Sequence, residues 1–414
     1  MDTATVRVDG RPVPAEVDQD GRGYWIVHNG TRVLVPGSGE VTYNDATGRI
    51  KSYVPAPGLD SVASRMGLHV TARPVVESVP APVVESKADR PRSVVEMIGQ
   101  DRVRTQLMVR VRGAKLRGTH PGHVLLTGPP GLGKTSIAEL VAQQTGGEMI
   151  RAIGSALSKP ETLVATLNRL ARGRTDVLFI DEVHELPQRT EELLYTVMED
   201  GRVDVAVGSG ARAGVRSVQL PEFILVGATT LPGLLSQPFR DRFASVFSLE
   251  YYSTNELTRI IEAAAQRAGA KIDTHAAGEL ARRSRGTARV ALGLFRASWD
   301  YTVAMADSTD VPITVDTVSQ ALELDEVDTL GLTRDDRSVL DCICRVHSGG
   351  PVGLDNLAAT AGVDNRTLTG VIEPFLLREE LIRRERVGRV ATVKAFVHLG
   401  LDVPPALGLD AQCS

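Results

Sequence analysis

At 414 residues the chain exceeds what one hydrophobic core usually holds, which implies about two to four domains. Hydrophobic residues at 42% beside charged residues at 24% exclude a disordered or fibrous chain. A net charge of −4 excludes a global positive field, so any contact with nucleic acid has to come from local basic patches. No run of about 18 apolar residues occurs and the acidic start Met1-Asp2-Thr3 is unlike a signal peptide, so a cytoplasmic protein without membrane contact is expected. Cys342, Cys344 and Cys413 have neither zinc-site nor disulfide spacing and are read as buried or incidental thiols.

Residues 1–56 carry short alternating segments, Thr5-Val6-Arg7-Val8, Tyr24-Trp25-Ile26-Val27 and Arg32-Val33-Leu34-Val35, separated by Asp-Gly, Asn-Gly and Gly-Ser-Gly. Such turns favour tight hairpins and predict a small β module. Residues 57–92 shift to Pro, Val, Ala and Ser, with Pro-Val-Val-Glu-Ser at 74–78 and again at 82–86, the composition of an extended, flexible linker.

From 93 to 253 short apolar runs alternate with helical patterns, predicting an α/β nucleotide-binding domain whose mostly parallel sheet is covered on both faces. Val124-Leu125-Leu126-Thr127 leads into Gly128-Pro129-Pro130-Gly131-Leu132-Gly133-Lys134-Thr135, and Ser136-Ile137-Ala138-Glu139-Leu140-Val141 continues as a helix. This is a phosphate-binding loop in its required strand-to-helix setting. Gly131 and Gly133 let backbone N–H groups converge on phosphates, Lys134 reaches the outer phosphates, and Thr135, with Ser136 beside it, offers a hydroxyl to Mg²⁺. ATP and Mg²⁺ are the implied ligands.

Asp176-Val177-Leu178-Phe179-Ile180-Asp181-Glu182 reads as a buried parallel strand ending in two carboxylates. Asp181 can hold the metal through water and Glu182 can polarise the water that attacks the γ-phosphate. Residues 201–219 alternate with period two on both sides of a Gly-rich tip and predict an inserted β-hairpin, either a partner contact or a plain surface excursion. Phe223-Ile224-Leu225-Val226-Gly227-Ala228-Thr229-Thr230 is a further buried strand, and a position between the other two would bring Thr229 or Thr230 to the γ-phosphate and the attacking water. Pro238-Phe239-Arg240-Asp241-Arg242-Phe243 then puts two arginines at a helix end. Arg242 suits a charge-stabilising role at a neighbouring subunit's nucleotide, or a plain surface ion pair with Asp241.

Residues 254–325 read as helical throughout, opening on the capping sequence Ser253-Thr254-Asn255-Glu256. Arg289 begins a helix from which it could reach back to the nucleotide; a solvated basic turn is the alternative. Residues 329–402 show helical segments near 334–347, 353–361 and 364–380, then a basic hairpin holding Arg383, Arg384, Arg386, Arg389 and Lys394, the order of a winged-helix DNA-binding module, with a tail at 403–414. The hairpin suits phosphate contacts, or is a solvated edge.

Together these residues resemble the RuvB family of bacterial AAA+ motors that drive branch migration of Holliday junctions. The likeness spans roughly 90–402 and rests on Ile98-Gly99-Gln100, the loop at 128–135, Phe179-Ile180-Asp181-Glu182-Val183-His184, Gly227-Ala228-Thr229-Thr230, Arg240-Asp241-Arg242-Phe243 and Arg285-Gly286-Thr287-Ala288-Arg289. Most specific is Gly349-Gly350-Pro351-Val352-Gly353-Leu354-Asp355-Asn356-Leu357-Ala358, similar to the family's winged-helix signature. The resemblance implies an AAA+ P-loop domain, a helical lid and a C-terminal winged helix, assembled as a homohexamer on duplex and four-way junction DNA. It implies that Arg242 enters the adjacent subunit's site, that Arg289 and Thr229 or Thr230 sense the nucleotide, and that Arg90 and Tyr252 line the adenine and ribose pocket. It places Arg384 and Arg389 on DNA and the hairpin at 202–218 on a RuvA-like junction-binding partner. Three features differ from the family: about 90 residues precede Arg90-Pro91, Leu231 and Glu185 stand where basic residues are usual, and the hairpin sequence is diverged. A second function class therefore stands beside the DNA motor, an ATP-gated assembly or loader recruited through the N-terminal module.

Overall fold

The computed structural model describes residues 96–207 and 214–405, those at 205–207 and 214–215 by backbone alone, and the backbone of seven strands between 6 and 55. Arg90, Cys413, the linker 57–92 and the hairpin tip 208–213 lie outside the described residues. The chain divides into two units, 1–81 and 82–414.

In the first unit, β1 (Val6–Val8), β2 (Arg11–Val13), β6 (Gly39–Asn44) and β7 (Arg49–Pro55) form one sheet in the order β2-β1-β6-β7. β3 (Ala15–Val17), β4 (Tyr24–His28) and β5 (Thr31–Val35) form a second, antiparallel one. Val8 pairs with Arg11 across Asp9-Gly10 in sequence, and His28 with Thr31 across Asn29-Gly30, the two-residue spacing of tight hairpins.

The second unit is built on a five-stranded sheet of β8 (Val124–Thr127), β9 (Met149–Ile153), β10 (Asp176–Asp181), β13 (Phe223–Thr229) and β14 (Ser245–Ser248). All pairings are parallel, in the order β14-β8-β13-β10-β9. Every residue of β8 and β13 is buried, the pattern of parallel strands covered on both faces. β13 lies between β8 and β10, so the loop after β8, the carboxylates ending β10 and the threonines ending β13 meet at one edge. The sheet order makes the site.

One face is covered by helices Asp101–Arg117 and Lys134–Thr145, whose Leu107, Ile137 and Leu140 join Leu257, Ile261 and Phe295 of the lid in one continuous core. The other face is closed by Leu163, Leu194, Phe239 and Phe243. Each fully buried Leu, Ile or Phe contributes roughly 1.5–3 kcal/mol. Between helix Gln188–Asp200 and the start of β13 the chain forms a separate hairpin, β11 (Arg202–Val207) and β12 (Gly214–Gln219), antiparallel in register from Arg202↔Gln219 to Val207↔Gly214, as the alternation predicts.

The lid comprises helices Thr254–Ala268, Thr274–Arg282, Ala288–Ala306 and Val315–Leu324. Its first helix is closed by a reciprocal capping box of Ser253 and Glu256. The expectation of helix throughout 254–325 is corrected at two points: β15 (Lys271–Ile272) and β16 (Pro312–Ile313) pair in parallel and tie the first helix–helix connection to a later one. Two residues per strand are too few for a periodic signal.

The winged helix has its own core around Leu340, Ile343, Leu357, Leu376 and Phe396. Helix Arg334–Asp341 continues as a π-helical turn, Cys342–Val346, in which both cysteines are buried; burial pushes the Cys344 thiol up to about 12. Helix Leu354–Ala361 and the run 365–378 follow, then β17 (Ile382–Glu385) and β18 (Gly388–Ala391), an antiparallel wing. Val352 bridges Arg389 as a third strand position. Lys394, expected on the basic hairpin, instead lies in helix Val393–His398 and donates to the carbonyl of Glu379.

Lid and winged helix are joined by charge and aromatic contacts. Arg285 forms an ion pair with buried Asp336, donates to the Gly331 carbonyl at 2.9 Å and lies 4.4 Å over the Phe375 ring. Arg378 donates to the Arg285 carbonyl at 2.8 Å and stacks 4.2 Å over Tyr251.

Asp176, fully buried at the start of β10, accepts from the N–H groups of Glu148 and Ala171, each at 2.9 Å, and from Arg174 at 2.7 Å. Burial alone would raise its pKa, but these donors hold it below the ordinary carboxylate value. Asp176→Ala leaves two amides and a guanidinium short of a partner and is expected to destabilise the unit by about 3 kcal/mol in denaturant unfolding. Because the folded pKa is depressed, this contribution is present above about pH 3.9 and disappears as pH falls through the folded value. An acid-unfolding midpoint that the substitution leaves unchanged would remove Asp176 from this role.

Candidate nucleotide site and DNA interface

The loop 128–133 turns sharply at Gly128, Gly131 and Gly133, with φ of 132°, 78° and 92°, values that side chains other than glycine rarely adopt. At Gly131 there is a second reason: a Cβ would come within 2.8 Å of the Arg289 Cβ. Helix Lys134–Thr145 starts immediately behind, so its unpaired first N–H groups face the loop. Gly128 N–H donates to the Thr229 carbonyl at 3.3 Å, tying the loop to the end of β13.

Lys134 is 7% exposed and donates from Nζ to the carbonyls of Gly128 and Pro129, at 2.8 and 2.9 Å. Burial lowers its pKa, the charges of Glu182 and Asp181 raise it, and the charge of Arg289 lowers it again. Four of the expected site charges thus act on one another. Glu182 sits in the left-handed region at φ 45°, a strained conformation for a non-glycine residue. Its Oε2 accepts from Thr230 N–H at 3.3 Å and from the Thr230 hydroxyl at 3.1 Å. Asp181 accepts from the Glu182 N–H at 3.1 Å.

Two residues approach from the lid side. Tyr252 donates its hydroxyl to the Leu132 carbonyl at 3.0 Å, and Arg289 donates its backbone N–H to the Gly131 carbonyl at 3.4 Å. Tyr252 also walls an open cleft of about 420 Å³ with Gln100, Val103, Phe247 and Glu256. Thr135 and Ser136 lie in the first turn of the helix behind Lys134.

Arg242 is outside this cluster. It follows helix Gln237–Arg240, one-third exposed, paired with Glu199 at 2.9 Å and lying 5.4 Å over the Tyr195 ring. Asp241, the partner in the alternative surface-ion-pair reading, instead accepts from Gln237.

In the wing, Arg384 and Arg389 share one buried carboxylate. Arg389 holds Glu373 with two bonds of 3.0 Å, and Arg384 reaches it at 2.8–2.9 Å. Glu373 is 1% exposed and its pKa, which burial would raise, is lowered by the two arginines. The Arg384 side chain remains 59% exposed and Arg389 only 12%, so Arg384, Arg383 and Arg386 carry the wing's outward charge.

Sequence reasoning gave no role to two residues that the structure brings in. His184 Nδ1 lies 2.9 Å from the Thr229 hydroxyl and 3.2 Å from Glu182 Oε2. Glu373 lies in a stretch whose helical pattern shows neither its burial nor its partners.

Family profiles match three consecutive stretches: the Holliday junction DNA helicase RuvB P-loop domain over 89–249, the RuvB AAA lid domain over 252–328 and the RuvB C-terminal winged helix domain over 329–400. The chain belongs to the RuvB family. Among its relatives, the Holliday junction branch migration complex subunit RuvB of Nocardia farcinica is 48% identical over 318 residues, 77% of this chain and 88% of that one. Its counterpart in Mycolicibacterium gilvum is 46% identical over 319 residues, again 77% and 88%. The solved Thermotoga maritima RuvB Holliday junction branch migration motor is 40% identical with a TM-score of 0.67, covering 77% of this chain and 100% of that one. RuvB membership makes this a nucleotide-binding AAA+ P-loop protein with a lid and a winged helix, and the matched region contains every expected site residue.

Lys134→Ala is expected to weaken ATP binding by about tenfold or more, because it removes the cation that the phosphate loop holds on its own carbonyls. Glu182→Gln should bind ATP within about twofold of the parent chain and lose hydrolysis, since a carboxamide cannot take a proton from water. Equilibrium binding and steady-state turnover of both variants test the division; ordinary turnover by Glu182→Gln would end its assignment.

Proposed function

We propose that the chain is an ATP-driven DNA motor that couples hydrolysis to movement of duplex DNA and to branch migration of four-way junctions. The observation that carries this reading is the convergence of Lys134, Asp181, Glu182, Thr229, Thr230 and Arg289 at one sheet edge, on a chain that continues into a winged helix. ATP takes the loop, with Gly131, Gly133, Lys134, Thr135 and Ser136 around its phosphates and Arg90 and Tyr252 toward its adenosine end. Thr135 and Asp181 would hold Mg²⁺. Among the described residues no three His, Cys, Asp or Glu side chains form a metal cage, and a hydroxyl with one carboxylate fits an ion that shares its shell with phosphates and water. Bound there, Mg²⁺ would neutralise charge on the transferring phosphoryl group.

Glu182 accepts a proton from the attacking water, Thr229 and Thr230 sense the γ-phosphate, and Arg289 links the nucleotide's state to the lid. Arg242 is read as a residue that works at the neighbouring subunit's nucleotide. Supporting this are its lack of contact with its own site and its partial exposure on Glu199, an ion pair worth little in water and easily exchanged for a phosphate. A homohexamer around duplex DNA follows from that reading, in the cytoplasm. Among the described residues no helix is long and apolar enough to cross a membrane. The hairpin β11–β12 is proposed as the docking element for a RuvA-like junction-binding partner. The first unit's separate β-sheets favour a second reading, in which that module recruits the ring as a loader that does not translocate.

Strand exchange on a synthetic four-way junction, with the full chain and with a chain lacking the first unit, 1–81, separates the readings. ATP-dependent branch migration by both supports the motor. ATP hydrolysis without branch migration, even when a junction-binding partner is supplied, would defeat it.

Arg242→Ala and Lys134→Ala chains, each inactive alone, should recover part of their ATP hydrolysis when mixed, because some interfaces then pair an intact Lys134 with an intact Arg242. Failure to complement in rings shown to be mixed would exclude a shared site.

The wing gives an asymmetric expectation. Arg384→Ala should lower duplex affinity similarly across sequences and reduce the salt-dependence slope by about 0.9, one phosphate contact. Arg389→Ala removes the more buried of the two guanidiniums on the Glu373 carboxylate and should destabilise the winged helix by about 3 kcal/mol as well. Salt titrations of duplex binding, paired with thermal unfolding, check both; an unchanged slope for Arg384→Ala would make the wing a solvated edge.

A further inference from the structure

We infer that His184 is a positioning residue for ATP hydrolysis, holding the Glu182 carboxylate and the Thr229 hydroxyl in their working orientations through its Nδ1–H. The inference rests on the reading of the site as an ATPase and goes beyond it by naming what orients its two polar groups. His184 Nδ1 faces Thr229 Oγ1 at 2.9 Å and Glu182 Oε2 at 3.2 Å, and the side chain is only 10% exposed. A bare ring nitrogen cannot face a carboxylate oxygen at that distance without lone-pair repulsion, so we place the proton on Nδ1, hydrogen-bonded to the Thr229 hydroxyl and in ion-pair contact with Glu182.

The consequence for Thr229 is specific. A threonine hydroxyl has two lone pairs and one hydrogen. Leu231 N–H fills one lone pair at 3.0 Å and His184 Nδ1–H fills the other, which leaves Thr229 as a donor only. Thr229 is fully buried, and its backbone carbonyl receives the N–H of Gly128, which sets the residue at the mouth of the phosphate loop. A donor with a fixed direction in a water-poor site stabilises developing negative charge without having to reorient.

For Glu182 the effect is complementary. Thr230 N–H and the Thr230 hydroxyl donate to Oε2, and His184 Nδ1 lies in ion-pair contact with the same oxygen at 3.2 Å. Two hydrogen bonds and the adjacent imidazole on one oxygen fix the carboxyl plane. His184 itself touches neither water nor phosphate in this scheme and acts through its two neighbours.

The test uses the full chain and two substitutions that divide the imidazole. Asn places its Nδ2–H₂ where the histidine has Nδ1, one bond from Cγ; Gln places its amide nearer Nε2. His184→Gln is expected to lower kcat about tenfold or more with ATP affinity held within about twofold, and His184→Asn to keep kcat within about threefold of the parent. Turnover by His184→Gln at the parent rate would overturn the inference. So would an Asn variant as impaired as the Gln variant, or an ATP affinity that falls in step with kcat. A second readout does not depend on turnover: ¹⁵N spectra of the histidine-labelled chain, with the His184 signal among the eight histidines assigned by its loss in His184→Gln, should show a protonated Nδ1. The Nε2–H tautomer would refute the assignment. An inactive parent chain with the Nδ1–H signature would sink the ATPase reading while leaving the hydrogen-bond assignment standing.

Discussion

The backbone of the phosphate loop is pressed against the lid, and the rest of the molecule is arranged around that contact. Gly131 has no room for a side chain because Arg289 is there, and its carbonyl takes the Arg289 N–H. A lid docked by backbone at this point sets Arg289 against the phosphate loop. It also lets Leu257, Ile261 and Phe295 extend the core beneath the parallel sheet, so loop, sheet and lid share one apolar interior. Hinging the lid away would expose part of that interior as well as break one hydrogen bond.

Buried charge recurs at each working point, and each time it is paired. Lys134 is buried among Asp181, Glu182 and Arg289, so the site is nearly balanced before ATP and Mg²⁺ bring their own charges. Asp336 at the lid joint is matched by Arg285, and Glu373 in the wing by two arginines. Such pairs add little net stability over apolar packing, but breaking one side is costly. They fix geometry where geometry matters: the lid angle at Asp336 and the direction of two guanidinium groups at Glu373.

Much of the site was legible in the sequence because its signals are contiguous. The loop at 128–135, the carboxylates ending 176–182 and the threonines ending 223–230 each announce their chemistry within eight residues, and strand character follows from apolar runs bounded by polar ends. That β13 lies between β8 and β10 was expected from the general behaviour of such sheets and is what the pairing shows. What was not legible depends on residues far apart. His184 meets Thr229 across 45 positions, and Arg242 finds Glu199 across 43 when its neighbour Asp241 had looked the simpler partner. Glu373 carries a charge that patterning would place in solvent, and only the fold brings Arg384 and Arg389 around it. The paired strands at 271–272 and 312–313 are too short to alternate, and Lys394 was counted with the wing because a hairpin's end and a helix's first turn look alike in a basic run.

The stacking of Arg378 on Tyr251 has a thermodynamic consequence. Tyr251 precedes Tyr252, which is bonded to the phosphate loop, and Arg378 also holds the carbonyl of Arg285, four residues before Arg289. A guanidinium of the winged helix therefore touches both lid-side approaches to the nucleotide. Coupling transmitted through such a joint is reciprocal: whatever factor nucleotide imposes on affinity for DNA, DNA must impose equally on affinity for nucleotide. On the proposed reading of the wing as a DNA contact, the duplex becomes an effector of the ATP site.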